Sequence, residues 1–353
     1  MRKSKRFAAV AFIATFGLIA AACGDDEETT STTGATEETG ATESTVAPSD
    51  LKLGVAFDTG GRGDGTFNDA AGRGADQAAA ELGATVQEIE ATVEDDRKPN
   101  LEALTAAGNN PVIVVGFAFG DSLLEVAAAN PDTVYGWVDG YAEAPNIKVL
   151  SFAANQGSFL VGAAAALKCG CDAVGFIGGQ EIALIKEFEA GYIAGAKAVN
   201  PDIEVKSQYL GAAGDNAAWG SPDKAKEIAL GWYADGVEVI YSAAGGSGNG
   251  TIEAAVEAGK WAIGVDSDQY LTATPEQQEH ILTSMLKRVD VAVFETAKAV
   301  QEGDLTGGFK VFDLSVDGVG YSTSGGYLDE FAEQLDAFKA QIVSGEIVVP
   351  TEP

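Results

Sequence analysis

From residue 51 onward, apolar runs of strand length alternate with amphipathic stretches of helical spacing, and this alternation restricts the chain to parallel sheets whose strands are joined by helices. The runs "LKLGVAF", "ATVQEIE", "PVIVVG", "TVYGWVD" and "IKVLSF" have strand length, while "FNDAAGRGADQAAAELG", "RKPNLEALTAAG" and "SLLEVAAANP" between them read as helices. Strands separated by a helix pair in parallel, and a parallel sheet is covered on both faces. After "SFAANQGSFLVGAAAALK" the pattern starts again with "AVGFIGG", "IEVKSQYL", "VEVIYSAA" and "WAIGVDSD", each followed or preceded by a helical stretch. Two doubly wound α/β units therefore follow one another. The 353 residues, 46% of them hydrophobic, are enough for one large or two ordinary domains.

The last part, "HILTSMLKRVDVAVFETAKAVQEG" and "GVGYSTSGGYLDEFAEQLDAFKAQIVSGEI", offers one more strand and two long helices, too little for a third domain. Returned across the chain, these pieces complete the two units. The expected arrangement is a first lobe of residues 51–153 plus about 284–316 and a second of 154–283 plus about 317–345, joined by several strands with a cleft between them.

Residues 1–22 carry four basic residues, then a short apolar run, then small residues ahead of Cys23, the pattern of an export signal. A cysteine directly after "LIAAA" matches the lipid-accepting position of bacterial lipoprotein signals, although Ala20 stands where Leu is usual; ordinary secretion is the alternative. Residues 23–50 have no aromatic side chain and many Thr, Glu and Gly. Such a segment cannot bury enough surface to offset its chain entropy, and it reads as a disordered acidic tether. The protein is thus expected outside the cytoplasm, anchored to the cell membrane through Cys23.

The formal charge of −31 argues against nucleic acid as a partner, because a phosphate backbone needs a contiguous positive surface. Cys169 and Cys171 in "LKCGCDAVGF" read either as a turn-stabilising disulfide or as two passive thiols.

Ligands of open parallel sheets sit beyond the carboxyl ends of the strands. There this sequence places Asp58 after "GVAF", Asp121 in "GFAFGD", the glycines of "AAGGSGNG" and Asp266 after "WAIGV". Enzyme readings fail on spacing. Neither "GGRGDGTFN" nor "GGSGNGTIE" has a P-loop ending or the full G-x-G-x-x-G pattern. "VDSDQYLTATPE" begins like a calcium loop at Asp266 and Asp268, but Tyr270 and Leu271 occupy the next ligand and glycine positions, so no metal is expected. No G-x-S-x-G elbow is present, and the single histidine, His280, has no catalytic partners nearby in sequence. The Arg62–Asp64 tripeptide "RGD" matches the adhesion motif, but it lies inside the loop facing the cleft. An exported two-lobed chain without a catalytic set is most simply a binding protein that uses no cofactor.

Taken in order, "VAFDTGGRGDGTFND", "VGFAFGDSL", "LIKEFEAGYIAGAKAVNP", "YSAAGGSGNGTIEAA", "IGVDSDQY" and "TSMLKRVDVAVFE" resemble the basic membrane protein family of bacterial substrate-binding lipoproteins, the group that includes the purine nucleoside receptor. The resemblance implies a type I periplasmic binding protein fold and delivery of nucleosides to the permease and ATPase of an ABC importer, by a monomer. It also implies a ligand site of Asp58, Phe67, Asn68, Asp121, Phe188, Gly245, Gly246, Asp266 and Lys287. Phe67 and Phe188 would sandwich the base, Asn68 and Asp121 would read its edges, and Asp58, Asp266 and Lys287 would hold the ribose. Phe188 also fits a helix core and Asp121 a helix cap. The chain departs from the family's usual pattern at Asn155 and Gln156, next to the expected hinge. The alternatives are a binding protein for a sugar or another small polar metabolite, and a sensor or adhesin that does not transport.

Overall fold

The computed structural model describes residues 49–353. The export signal, the tether as far as residue 48 and Cys23 lie outside the described residues.

The first run of elements is β1 (Lys52–Phe57), α1 (Phe67–Leu82), β2 (Thr85–Glu90), α2 (Arg97–Ala106), β3 (Val112–Val115), α3 (Gly120–Ala129), β4 (Tyr135–Val138) and β5 (Ile147–Phe152). The second is α4 (Ala154–Cys169), β6 (Ala173–Gln180), α5 (Ala183–Val199), β7 (Glu204–Gly211), α6 (Pro222–Ala234), β8 (Val239–Ala243), α7 (Gly248–Ala258), β9 (Trp261–Asp266), the short α8 (Pro275–Gln278) and β10 (Ile281–Lys287). The chain then returns as α9 (Val289–Gln301), β11 (Gly308–Phe312), β12 (Val319–Tyr321) and α10 (Ala332–Val343).

Two sheets result, ordered β2-β1-β3-β4-β5-β11 and β7-β6-β8-β9-β10-β12. Every neighbouring pair is parallel except β10 with β12. Position in the sheet follows composition. The "VIVV" of β3 is buried throughout, as an inner strand of a covered sheet must be, whereas "TVQEIE" of β2 is mostly exposed at an edge. These are the two parallel-sheet α/β lobes read from the sequence.

The return segment differs from the reading in two respects. From His280 onward the chain holds three strands, β10, β11 and β12, where one was expected, because β11 and β12 are short edge strands. Phe309 and Val311 of β11 stay half-exposed, so no buried apolar run announced it. The chain also crosses back later than residue 284: β10 belongs whole to the second sheet, and α9 beyond it packs on α1 of the first lobe.

Three strand exits carry the chain between lobes, after β5, β10 and β11, and they bond to one another. Ala153 N–H donates to the Phe312 carbonyl at 3.0 Å, and Arg288 N–H to the Gly318 carbonyl at 2.9 Å. The departures noted at residues 155 and 156 serve this junction. Gln156 Oε1 accepts Leu314 N–H at 3.1 Å, and Asn155 Nδ2 donates to the Val349 carbonyl at 2.9 Å, tying down the tail beyond α10. Cys169 and Cys171 are bridged at the end of α4.

Within the second lobe α4 and α5 approach to backbone contact. A methyl group at Gly195 would overlap the Phe159 carbonyl, and one at Gly162 the Tyr192 carbonyl. The contact is between main chains, so no rotamer change relieves it. Gly195→Ala is expected to lower the unfolding free energy by about 2–3 kcal/mol, seen as a lower urea midpoint at constant slope. An unchanged midpoint would mean that the two helices separate freely.

Candidate ligand-binding cleft

At the carboxyl ends of the strands, loops of both lobes enclose a cavity of about 770 Å³, mouth included. At its base is Lys287, the last residue of β10. Its Nζ donates to Asp139 Oδ2 at 2.6 Å, with the two side chains only 3% and 5% exposed. Asp139 follows β4 of the first lobe, so this ion pair spans the two lobes. Burying two charges is costly unless the remaining field is favourable. Here the ammonium also lies 4.8 Å from the ring centre of Phe67, 5.1 Å from that of Phe152 and 5.7 Å from that of Phe188. Each ring face adds roughly 0.5–2 kcal/mol of cation–π attraction. Phe152 is itself held at the lobe junction, stacked on Phe312 at 5.2 Å.

Phe67 is the first residue of α1 and Phe188 lies in the second turn of α5; both line the cavity, one from each lobe. Phe188 is also 3% exposed and part of its lobe's core, so both roles considered for it coexist. A second aromatic contact crosses between the lobes nearby, where Phe117, after β3, meets Trp219, after β7, edge to face at 6.5 Å. Gly245 and Gly246 line the cavity beside Trp219, and a methyl group at Gly246 would stand 3.3 Å from the Trp219 carbonyl oxygen.

The glycine-rich loop before α1 is folded around its own carboxylates. Asp64 accepts the N–H groups of Thr66, Asn68 and Asp69 at 2.9, 2.9 and 3.1 Å, capping α1 from upstream. Asp69 in turn accepts Gly63 and Gly65 N–H at 2.8 Å each. The backbone donors that would cradle a phosphate are thus occupied by internal anions. Burial pushes the Asp64 carboxyl pKa up, and its N–H partners pull it back. Arg62 is committed to Asp76 and Glu88, and the "RGD" carboxylate is turned inward.

Asp58 lines the cavity as expected but is paired with the buried Arg97 of α2, Nε to Oδ1 at 3.0 Å and Nη2 to Oδ2 at 3.3 Å. Asp266 is different. Its backbone has a φ of 63°, and the Ser267 N–H bonds back to the Val265 carbonyl at 2.7 Å, a tight turn that a side-chain-bearing residue rarely adopts. The turn carries its carboxyl into the cavity wall, where burial raises the pKa to about 7. Lys287 lowers it and the neighbouring Asp139 and Asp64 raise it further. Asp266 Oδ1 and Asn68 Oδ1 are buried without a hydrogen-bond partner in the protein. With Asp58 and Asp139 neutralised by their partners, Asp64 leaves the cavity wall with unpaired negative charge, and Asp266 Oδ1 and Asn68 Oδ1 leave it with unused polar oxygens.

Of the residues read from the sequence, Asp58, Phe67, Asn68, Phe188, Gly245, Gly246, Asp266 and Lys287 meet in this one cavity. Asp121 does not. It is exposed on the first turn of α3, because a short turn at residues 117–119 intervenes, and Gly116 and Phe117 take the wall position instead. Asp139 was missed although it satisfies the same strand-tip rule, directly following "GWV". Trp219 lies in a loop without periodicity and gave no signal. Arg97 looked like an ordinary first-turn helix residue.

Residues 51–352 match the Bmp family, described as "ABC transporter substrate-binding protein PnrA-like". A CD4+ T-cell-stimulating antigen of Listeria innocua is 33% identical over 99% of this chain and 100% of its own length. The ABC transporter nucleoside-binding protein BmpA of Lactococcus lactis subsp. cremoris is 31% identical over 86% of this chain and 90% of its own. Among solved structures, an ABC transporter solute-binding protein of Aeropyrum pernix K1 superposes with a TM-score of 0.74 at 28% identity, covering 85% of this chain and 94% of that one. The match spans both lobes and every loop of the cleft, and the family binds substrates for ABC transporters without catalysing a reaction on them; the chain belongs to the Bmp family of PnrA-like ABC transporter substrate-binding proteins.

Proposed function

We propose that this protein is an extracytoplasmic receptor for nucleosides, purine nucleosides foremost, that delivers them as a monomer to the permease and ATPase of an ABC importer while anchored through lipidated Cys23. The observation that carries the reading is the pair of phenyl rings, Phe67 and Phe188, lining one cavity from opposite lobes beside buried acceptors that lack a partner. Two aromatic faces suit a flat base, and stacking is worth roughly 1–3 kcal/mol per base. Asp58, Asp266 and Lys287 suit a ribose: the carboxylates accept from vicinal hydroxyls, and the ammonium donates to an oxygen. Asn68 takes a polar edge of the base. The relative named as a nucleoside-binding protein supports the same ligand class.

Isothermal calorimetry with inosine, guanosine, adenosine and cytidine tests the reading, with heat of binding expected from the purine nucleosides above all. Phe67→Ala and Phe188→Ala should each weaken that binding by about tenfold or more, whereas a sugar receptor would lose little from Phe67→Ala. Absence of heat from all four nucleosides would end the proposal.

The surplus of negative charge predicts discrimination by charge as well as shape. A 5′-monophosphate brings a dianion into a wall whose only buried ammonium is already paired with Asp139. Inosine 5′-monophosphate is expected to bind at least about a hundredfold more weakly than inosine, the uncompensated charge costing several kcal/mol. Equal affinities in the same calorimeter would contradict this.

Asp266 gives a pH signature. In the folded state its carboxyl keeps a proton up to about pH 7, whereas the ordinary value is 3.8. The folded state therefore binds more protons than the unfolded chain between these values, and stability falls as pH rises. This contribution is full below about pH 4 and is lost by the time the pH has passed about 7. Asp266→Asn removes the titration. The thermal stability advantage of ligand-free Asp266→Asn over the unsubstituted protein is expected to grow from pH 4 to pH 7 and then level off; a constant difference would place this carboxyl in an ordinary polar setting.

A further inference from the structure

Ser267 stands one residue beyond Asp266 and does not line the ligand cavity; it lines a second cavity on the other side of Asp266. It is 5% exposed, and its hydroxyl makes two bonds, both to the opposite lobe. Oγ donates to the Thr66 carbonyl at 2.6 Å and accepts from Arg73 Nη2 at 2.8 Å. Thr66 precedes Phe67, and Arg73 lies further along the same helix, α1. The tight turn at Asp266 thus aims two adjacent side chains in different directions, the carboxyl toward ligand and the hydroxyl across the lobe boundary. On the facing side, the residue that receives the hydroxyl is again adjacent to a cavity-lining residue. The cross-lobe bond and the two facing cavity walls are in register, one residue apart on each side.

This bond differs in kind from the other links between the lobes. The Lys287–Asp139 pair starts at a strand exit of the junction itself, where opening displaces groups least. Ser267 and Thr66 lie on loops that separate when the cleft opens to admit a ligand. A serine hydroxyl that bridges a carbonyl and a guanidinium has both its donor and one acceptor site used only in the closed arrangement.

We propose that Ser267 is a positioning residue that latches the two lobes shut by bridging the Thr66 carbonyl and Arg73, setting how long the ligand is retained without touching it. The inference rests on the receptor reading for its ligand arm only.

Spin labels at Glu102→Cys and Glu257→Cys, one exposed site in each lobe, in a Cys23→Ser background, report the inter-lobe distance by pulsed electron resonance. Stopped-flow displacement gives the inosine off-rate. Ser267→Ala is expected to move the ligand-free distance distribution toward longer separations and to raise the off-rate about fivefold to tenfold, the loss of one to two hydrogen bonds, with little change in the on-rate. Arg73→Gln, a substitution at an exposed residue with little risk to folding, should give a smaller shift in the same direction. The circular dichroism of the ligand-free protein should stay unchanged, which separates a latch from a structural defect. Distance distributions and off-rates identical to those of the unsubstituted protein in both variants would overturn the proposal. If the unsubstituted protein binds no nucleoside, the receptor reading fails, and the ligand-free distances alone decide the latch: a shift in Ser267→Ala upholds it and no shift refutes it.

Discussion

The ammonium of Lys287, buried against Asp139 and three phenyl rings, is the interaction on which the rest of the cleft depends. It joins the end of β10 to the end of β4, so this charge pair at the cavity is also a tie between the lobes. The negative faces of Phe67, Phe152 and Phe188 surround the ammonium and add cation–π attraction to the ion pair, which ties the rings to it. The aromatic surface that lines the cavity is therefore oriented by the ion pair.

The lobe junction is held by bonds of its own. Its three crossings are short and hydrogen-bonded to each other, with the Gln156 side chain bonded to one crossing and that of Asn155 to the tail beyond α10. Helix α10 contributes Leu335 to the core of one lobe and Ile342 to that of the other. Away from this well-bonded axis the lobes meet again through the loops of Thr66, Phe117, Trp219 and Ser267.

Much of this was legible before any coordinates. The doubly wound pattern came from period alone, since buried parallel strands must read as apolar runs. Asp58 and Asp266 were found because strand tips feed the cleft, and Phe67 and Phe188 through family resemblance. What stayed hidden has a physical reason in each case. β11 and β12 are edge strands, half-exposed and without the buried run that marks an inner strand. Asp121 looked like a strand-tip acid, but a three-residue turn displaced it to the surface, and sequence does not show that such a turn will form. Asp139 and Arg97 matter as partners of other residues, and partnership across a fold has no local signature. Asp64 was read only as the end of the adhesion tripeptide, whereas it accepts its own loop's amides.

That self-acceptance has an environmental consequence. A loop of free amides at a helix start would collect whatever oxyanion the surroundings supply, and a receptor outside the cytoplasm meets inorganic phosphate and sulfate continually. Because Asp64 and Asp69 already hold those amides, an oxyanion finds none of them free at the start of α1. The start of α1 is thereby closed to the minerals of the medium by the chain's own acids.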